Sequence, residues 1–295
     1  MTEFRSGFAC FVGRPNVGKS TLTNALVGEK VAITSDKPQT TRHVIRGIVH
    51  RPDAQLVLVD TPGVHRPRTL LGERLNALVA DTWAEVDVIA MCFPADEPIG
   101  PGDRFIAEEI AQVKRVKKVA VVTKTDKATK QEIGEQLLSV ATLGQELGID
   151  WEEIVPVSAV AGDQVSLLAE LLVEQLPIGS PLYPEGELTD EPQRVLMAEF
   201  IREAALEGVR DELPYSIATR VTEWEWPRVR CEIVVERESQ KHIVIGKGGS
   251  RLKDVGTSAR EAISRLLGVQ VHLDLRVKVA KDWQRDPKQL HRLGF

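Results

Sequence analysis

The stretch "GRPNVGKSTL", Gly13 to Leu22, decides how the rest of the chain is read. It fits the pattern G-x-x-x-x-G-K-[ST] and lies between a short apolar run, "FACFV" (8–12), and a helical pattern over 19–28. In that context such a loop cradles the phosphates of a nucleoside triphosphate. Gly13 and Gly18 let the backbone curl, so that N–H groups along Arg14, Pro15, Asn16 and Val17 turn toward phosphate oxygens wherever a donor exists. The following helix adds the positive end of its dipole. Lys19 is expected at the β- and γ-phosphates and Ser20 at a Mg²⁺ ion, with Thr21 completing the nucleotide-binding set.

Working outward, apolar runs alternate with helical patterns through the first 180 residues. Strands are expected at 8–12, 43–50, 55–60, 86–93, 118–123 and 154–158, and helices at 19–28, 70–83, 103–114, 130–148 and 164–176. Short apolar strands alternating with helices give an α/β fold with a mostly parallel six-stranded sheet covered on both faces. Only "RPDA" separates the second and third strands, so those two form an antiparallel hairpin at one edge. The stretch "LPIGSPLYPEGELTDEP" (176–192) is too rich in proline and glycine for a helix or strand and reads as an interdomain linker. This gives domains at 1–178 and 193–295 with a linker over 179–192.

Two further strand ends carry the chemistry of the first domain. Asp60 opens "DTPG" at the end of the third strand, where a carboxylate can hold Mg²⁺ and Gly63 can offer its backbone N–H to the γ-phosphate. "TKTD" (123–126) closes the fifth strand, with Thr123, Lys124 and Asp126 in it. The Asp126 carboxylate can accept from N1–H and the 2-amino group of guanine, donors that adenine lacks, and Lys124 would lie along the base. Ser158 and Ala159, at the end of the sixth strand, offer backbone N–H groups to the guanine carbonyl.

The four elements in this order resemble the GTPase branch of the P-loop fold. The usual guanine motif is Asn-Lys-x-Asp; Thr123 stands at the Asn position and keeps a hydroxyl, so weaker bracing with the same base is expected. "VAITSDKPQTTRH" (31–43) is the loop that GTP would order, through Thr40 or Thr41, of which Thr41 is preferred as the Mg²⁺ ligand. Lys19, Thr41 and Gly63 form the expected catalytic set. Many GTPases place a water-orienting glutamine directly after "DTPG"; here Val64 stands there, so slow intrinsic hydrolysis is expected. His65 and Arg66 read as exposed switch residues.

Charge marks the other end of the chain. Residues 181–240 hold 7 basic and 14 acidic side chains, net −7, whereas 241–295 hold 12 and 5, net +7, in a chain of net charge −5. A basic end on an acidic protein fits a polyanionic partner, and equally a solvated basic helix. The pattern here is a helix over 193–209, strands in "YSIATRVTEWEW" and "RVRCEIVVER", a helix over 250–267 and a strand in "VQVHLDLRVKVA". Before the last helix stands Gly246-Lys247-Gly248-Gly249, which resembles the G-x-x-G loop of KH domains of the type II form, a clamp for single-stranded RNA. Lys247, Arg251 and Lys253 supply charge, and Ile243, Val244 and Ile245 are either the apolar floor under the bases or core. Cys10, Cys92 and Cys231 lie far apart in apolar settings and read as buried thiols of a cytoplasmic protein, with no run suited to a signal peptide or membrane span.

Over nearly its whole length the chain resembles the Era family of bacterial GTPases, with a GTPase domain of the TrmE-Era-EngA type followed by a KH domain. The resemblance rests on "GRPNVGKSTL", "VAITSDKPQTTRH", "DTPGVH", "VIGKGGS" and the closing "VKVAKDW" and "LHRLGF". It implies GTP and GDP as ligands with Mg²⁺, and GTP-dependent binding near the 3′ end of small-subunit (16S) ribosomal RNA. It further implies a role in 30S subunit assembly and partial association with the inner membrane face, in a protein that is a monomer by default. Two alternatives stand beside it: a related GTPase acting on another RNA, and an RNA-binding adaptor whose nucleotide site is structural.

Overall fold

The structure, a computed structural model, describes residues 3–37, 40–64 and 67–295. It divides into two compact units, and the division is not a single cut of the chain. The first unit comprises Met1–Ala32, Thr41–Arg66 and Leu75–Asp190; the second comprises Ile33–Thr40, Pro67–Arg74 and Glu191–Phe295.

The first unit is built on a six-stranded sheet of order β2-β3-β1-β4-β5-β6. Its strands are β1 (Arg5–Val12), β2 (Ile45–Arg51), β3 (Ala54–Asp60), β4 (Val88–Pro94), β5 (Lys117–Thr123) and β6 (Glu153–Pro156). β2 and β3 pair antiparallel through a tight turn, as expected, and the remaining pairs are parallel. Every residue of β3 and β4 is buried, which explains their largely apolar sequences: each strand is covered on both faces. One face packs on α1 (Lys19–Val27) and α5 (Val165–Glu174) through Leu22, Leu26, Leu168 and Leu172. The other packs on α2 (Leu70–Glu85), α3 (Pro101–Gln112) and α4 (Lys130–Leu147) through Val79, Trp83, Ile106, Ile110, Val140 and Leu143.

This topology fixes the site. From β1 the sheet grows to β3 on one side and to β4 on the other, so the crevice of the fold opens at the carboxyl end of β1. The loop Gly13–Gly18 leaves β1 at that point.

The stretch expected to be a linker has neither helix nor strand but is tied down by hydrogen bonds at several points. Leu188 accepts the Ile48 amide at 2.9 Å, so the chain runs beside β2, the edge strand. Gln55, 2 % exposed near the start of β3, holds the same stretch: its Oε1 accepts the amides of Leu182 (2.6 Å) and Tyr183 (2.9 Å), and its Nε2 donates to the Tyr183 carbonyl. Covering the edge in this way removes a template for strand addition.

The second unit has a sheet of order β7-β8-β9, from β7 (Ala218–Glu225), β8 (Arg228–Val235) and β9 (His272–Val279). Val229, Cys231, Ile233 and Val235 alternate along the central strand and are all fully buried against the helices. Its helices are α6 (Gln193–Leu206), the single turn α7 (Leu213–Ser216), α8 (Glu238–Ile245), α9 (Ser250–Leu267) and a closing α10 (Pro287–Leu293). The sequence pattern missed α8. "HIVI" is rich in β-branched residues, which favour strands, yet tertiary packing makes it helical. Of the three apolar residues there, Val244 is core, Ile243 is exposed and Ile245 is half-buried, as one face of a helix requires.

Replacing Gln55 by alanine should cost about 1–3 kcal/mol, the penalty for stranding buried backbone donors. It should also speed hydrogen exchange at the Leu182 and Tyr183 amides, while β5 stays protected; unchanged exchange there would refute the packing role.

Candidate nucleotide site and RNA-binding loop

β1 ends at Val12, and the backbone then turns through Gly13 and a left-handed Asn16 and Gly18 before α1 begins at Lys19. Asparagine is among the few residues with a side chain that tolerates this region. Lys19 is only 5 % exposed, and its ammonium reaches back over the loop to the carbonyls of Gly13 (3.1 Å) and Arg14 (2.9 Å). An ammonium has three donors, so one remains for a phosphate oxygen. Burial pulls the Lys19 pKa below its usual range, against the opposing pull of Asp60.

Three oxygens meet at the start of α1. Ser20 Oγ donates to Asp60 Oδ2 at 2.6 Å, lies 3.0 Å from Thr41 Oγ1, and Thr41 Oγ1 is 3.3 Å from the same carboxylate oxygen. Asp60 is fully buried, and among the described residues its Oδ1 has no hydrogen-bond partner. Burial pushes its carboxyl up to about 6, against Ser20, Lys19 and Thr41, which lower it. Two hydroxyls around a carboxylate with an unpaired buried oxygen form a hard-oxygen donor set suited to Mg²⁺. Thr40 does not join them: its hydroxyl donates to the Lys37 carbonyl at 2.6 Å, and its own carbonyl accepts from the buried Arg202 on α6. The geometry thus favours Thr41 over Thr40.

Gly63 is pressed against the loop. A Cβ there would lie 2.9 Å from the Pro15 nitrogen, so only glycine allows "DTPG" this close. Val64 is partly buried against the apolar cluster on the α2–α4 face. His65 and Arg66 lie outside the described residues.

The residues expected to read the base follow β5 and β6. Thr123 is 4 % exposed and donates its hydroxyl to the Val17 carbonyl at 2.6 Å, which is the tie expected of it. Lys124 takes a left-handed conformation. Asp126 is exposed, and its Oδ1 accepts the hydroxyl of the fully buried Ser158 at 2.6 Å; Ser158 Oγ in turn accepts the Ala161 amide. Ser158 therefore aims the carboxylate with its side chain, a task the sequence did not reveal. Ala159 is half-buried beside it, and Thr21 is half-buried in the first turn of α1. The Arg14 guanidinium turns away from the loop onto Asp103 (2.8 Å) and Glu97 (3.0 Å), so the expected contribution of Arg14 to phosphate binding is its backbone N–H.

In the second unit, α8 ends at Gly246, a short turn spans Lys247–Gly249, and α9 begins at Ser250. Gly246 has φ 75° and ψ 174°, and a Cβ there would lie 2.7 Å from that of Arg251; no other residue fits. Lys247, Gly248 and Lys253 are exposed, and Gly249 is half-buried. Arg251 is not presented with them. Its guanidinium caps the end of α6 on the carbonyls of Ala205 and Glu207, so the sequence located its charge but not its aim. All three cysteines are free and buried.

Comparison with known proteins agrees with both halves. A family model described as "50S ribosome-binding GTPase" matches residues 8–125, and one described as "KH domain" matches 212–284. GTPase Era of Streptomyces coelicolor is 65 % identical over 305 aligned positions, covering 100 % of this chain and 96 % of that one. A crystal structure of Era in complex with MgGDPNP and nucleotides 1506–1542 of 16S ribosomal RNA superposes with a TM-score of 0.93 at 36 % identity, covering 99 % of both chains. A variant of Aquifex aeolicus Era bound to GDP·AlF4⁻ gives 0.92 at 36 % identity, again over 99 % of both.

The raised Asp60 carboxyl yields a pH dependence. Its folded pKa of about 6 lies above the ordinary 3.8, so in the cation-free protein its contribution favours folding below pH 4 and is lost as pH rises through 6. A cation needs the ionised form. Mg²⁺ affinity of the GDP-loaded protein should therefore fall about tenfold between pH 7 and pH 5. Magnesium titrations followed by melting temperature check this, and equal affinities at the two pH values would refute it.

Proposed function

The chain belongs to the Era family of GTPases, and on that premise we propose that it is a GTP-binding and GTP-hydrolysing switch that binds the 3′ region of small-subunit (16S) ribosomal RNA in assembly of the 30S subunit. In this reading residues 1–178 are the GTPase domain, 179–192 the connector, and 193–295 the KH domain with its tail. The observation that carries it is the meeting of Ser20, Thr41 and the unpaired Asp60 oxygen beside the Lys19 ammonium, in a chain that also bears a glycine-turned basic loop.

The residue roles follow from charge and reach. Backbone donors of the loop from Gly13 to Thr21 hold phosphate oxygens, and Lys19 supplies the cation at the β–γ junction. Ser20, Thr41 and Asp60 would hold Mg²⁺, which neutralises charge developing on the β- and γ-oxygens. Gly63 lies close enough to the loop for its N–H to meet a γ-phosphate. The apolar Val64 cannot orient an attacking water, so intrinsic turnover is slow. Asp126, aimed by Ser158, reads guanine against adenine, with Lys124 and Ala159 flanking the base and Thr123 tying the turn to the loop. Ile245, Gly246, Lys247, Gly248, Gly249 and Lys253 form the RNA clamp; Arg251 supports it by fixing the start of α9.

Chain connectivity supports the switch. Ile33–Thr40 cluster with the second unit, while Thr41, one peptide bond on, belongs to the first and to the cation-binding oxygens. A γ-phosphate that recruits Thr41 thereby pulls on a segment anchored to α6. The whole-chain likeness to the RNA-bound relative favours the small subunit over the large one, since the model bearing the 50S description reaches only residue 125. The family also suggests a cytoplasmic monomer with peripheral contact at the inner membrane face. Among the described residues no helix is long and apolar enough to cross a membrane.

Affinity for a 3′-terminal 16S fragment should differ between GTP-loaded, GDP-loaded and nucleotide-free protein; equal affinity in all three states would favour a structural-site adaptor. Asp126→Asn should shift preference from guanine toward xanthine nucleotides, and unchanged GTP affinity would refute its role. Lys247→Glu should weaken RNA binding and reduce its salt slope by about one without altering GTP hydrolysis.

A further inference from the structure

Glu97 lies in the segment between β4 and α3, and the nucleotide-site roles above make no use of it. Its two carboxylate oxygens face two different cations. Oε2 accepts from Arg14 Nη2 at 3.0 Å, and Oε1 stands 3.7 Å from the Lys124 ammonium. Arg14 is a residue of the phosphate loop; Lys124 belongs to the base-reading turn. Each cation has a second acidic neighbour. Arg14 Nε donates at 2.8 Å to Asp103, which is 1 % exposed and whose other oxygen accepts the Gly100 amide at the start of α3. Lys124 lies 3.9 Å from Asp96. The segment bearing Glu97 is itself fixed: the buried Gln136 on α4 donates to the carbonyls of Pro94 (3.0 Å) and Glu97 (3.1 Å).

We propose that Glu97 is a positioning residue for guanine nucleotide, a single carboxylate that ties the phosphate loop through Arg14 and the base-reading turn through Lys124. The nucleotide must bridge those two elements. A shared carboxylate sets their spacing before the ligand arrives, which lowers the ordering cost of binding. Arg14 suits the task because its planar fork directs Nε to Asp103 and Nη2 to Glu97 in one fixed geometry. The tie from Thr123 to Val17 braces the same two elements on their buried side, so Glu97 closes the outer side of one frame.

The proposal rests on the nucleotide-site reading above and makes a prediction of opposite sign to simple electrostatics. Nucleotide is an anion. If Glu97 were only a surface charge, neutralising it would strengthen attraction and slow release. As a brace, Glu97→Gln should instead speed release of both GDP and GTP, by about three- to tenfold, the scale of two partly exposed ion pairs. The nucleotide-free protein should melt within about 2 °C of wild type, because a half-exposed side chain is being changed isosterically. Gln136→Leu keeps the Glu97 charge but frees its segment, and should speed release in the same direction. Stopped-flow displacement of a fluorescent GDP and GTP analogue measures all of this. Slower or unchanged release from Glu97→Gln overturns the proposal, as does faster release of GTP alone. Wild-type protein that fails to hold guanine nucleotide would instead refute the underlying site, independently of Glu97.

Discussion

Two opposite charges buried at the carboxyl edge of a parallel sheet govern the first unit. Lys19 is 5 % exposed and Asp60 is fully buried. An isolated ion in such a place costs several kcal/mol even after relaxation. Both are tolerable only when the backbone carbonyls of Gly13 and Arg14, the hydroxyls of Ser20 and Thr41, and the opposite charge are all present. Burial pushes each group toward its neutral form, and each pulls the other back. That tension leaves a cation facing where phosphate would lie and a carboxylate oxygen open to a metal. The loop, α1, the end of β3 and Thr41 are therefore one electrostatic unit, and the switch point of the sheet is where such a unit fits.

The second unit uses a different economy. Its glycine turn joins two helices and presents Lys247 and Lys253 to solvent, while Arg251 is spent on the end of α6. Exposed ammonium groups suit a partner held by phosphate contacts and backbone shape. The same α6 carries Arg202 and Glu203, which bond Thr40 and Thr34. One helix thus serves both the core of the second unit and the segment that leads to Thr41.

Much of this was legible in the sequence where the signal is local. Glycines around an apolar run announced β1, the loop and α1, and the wholly buried β3 and β4 stood out as largely apolar runs. The hydroxyl at Thr123 marked a bracing group, weaker than the usual asparagine, and it donates to the Val17 carbonyl at 2.6 Å. Features set by distant contacts were not legible. Nothing near "HIVI" told a helix from a strand. The proline-rich stretch hides its packing because its anchor is Gln55, more than 120 residues earlier; a lone glutamine inside an apolar strand is the signal that could have found it. Arg14 and Arg251 were visible as charges, but their aim depends on carboxylates 83 and 89 residues away in one case and on a helix end in the other.

A site that holds guanine nucleotide through the opposed Lys19 and Asp60 charges must depend on both the base and Mg²⁺. Calorimetric titration with GDP and with ADP, each in Mg²⁺ and in EDTA, reads both dependences. GDP binding should tighten with Mg²⁺, and ADP should bind about two orders of magnitude more weakly, the scale of the charge-assisted hydrogen bonds to Asp126 that adenine cannot make. Equal affinity for the two nucleotides, or none for either, would contradict it.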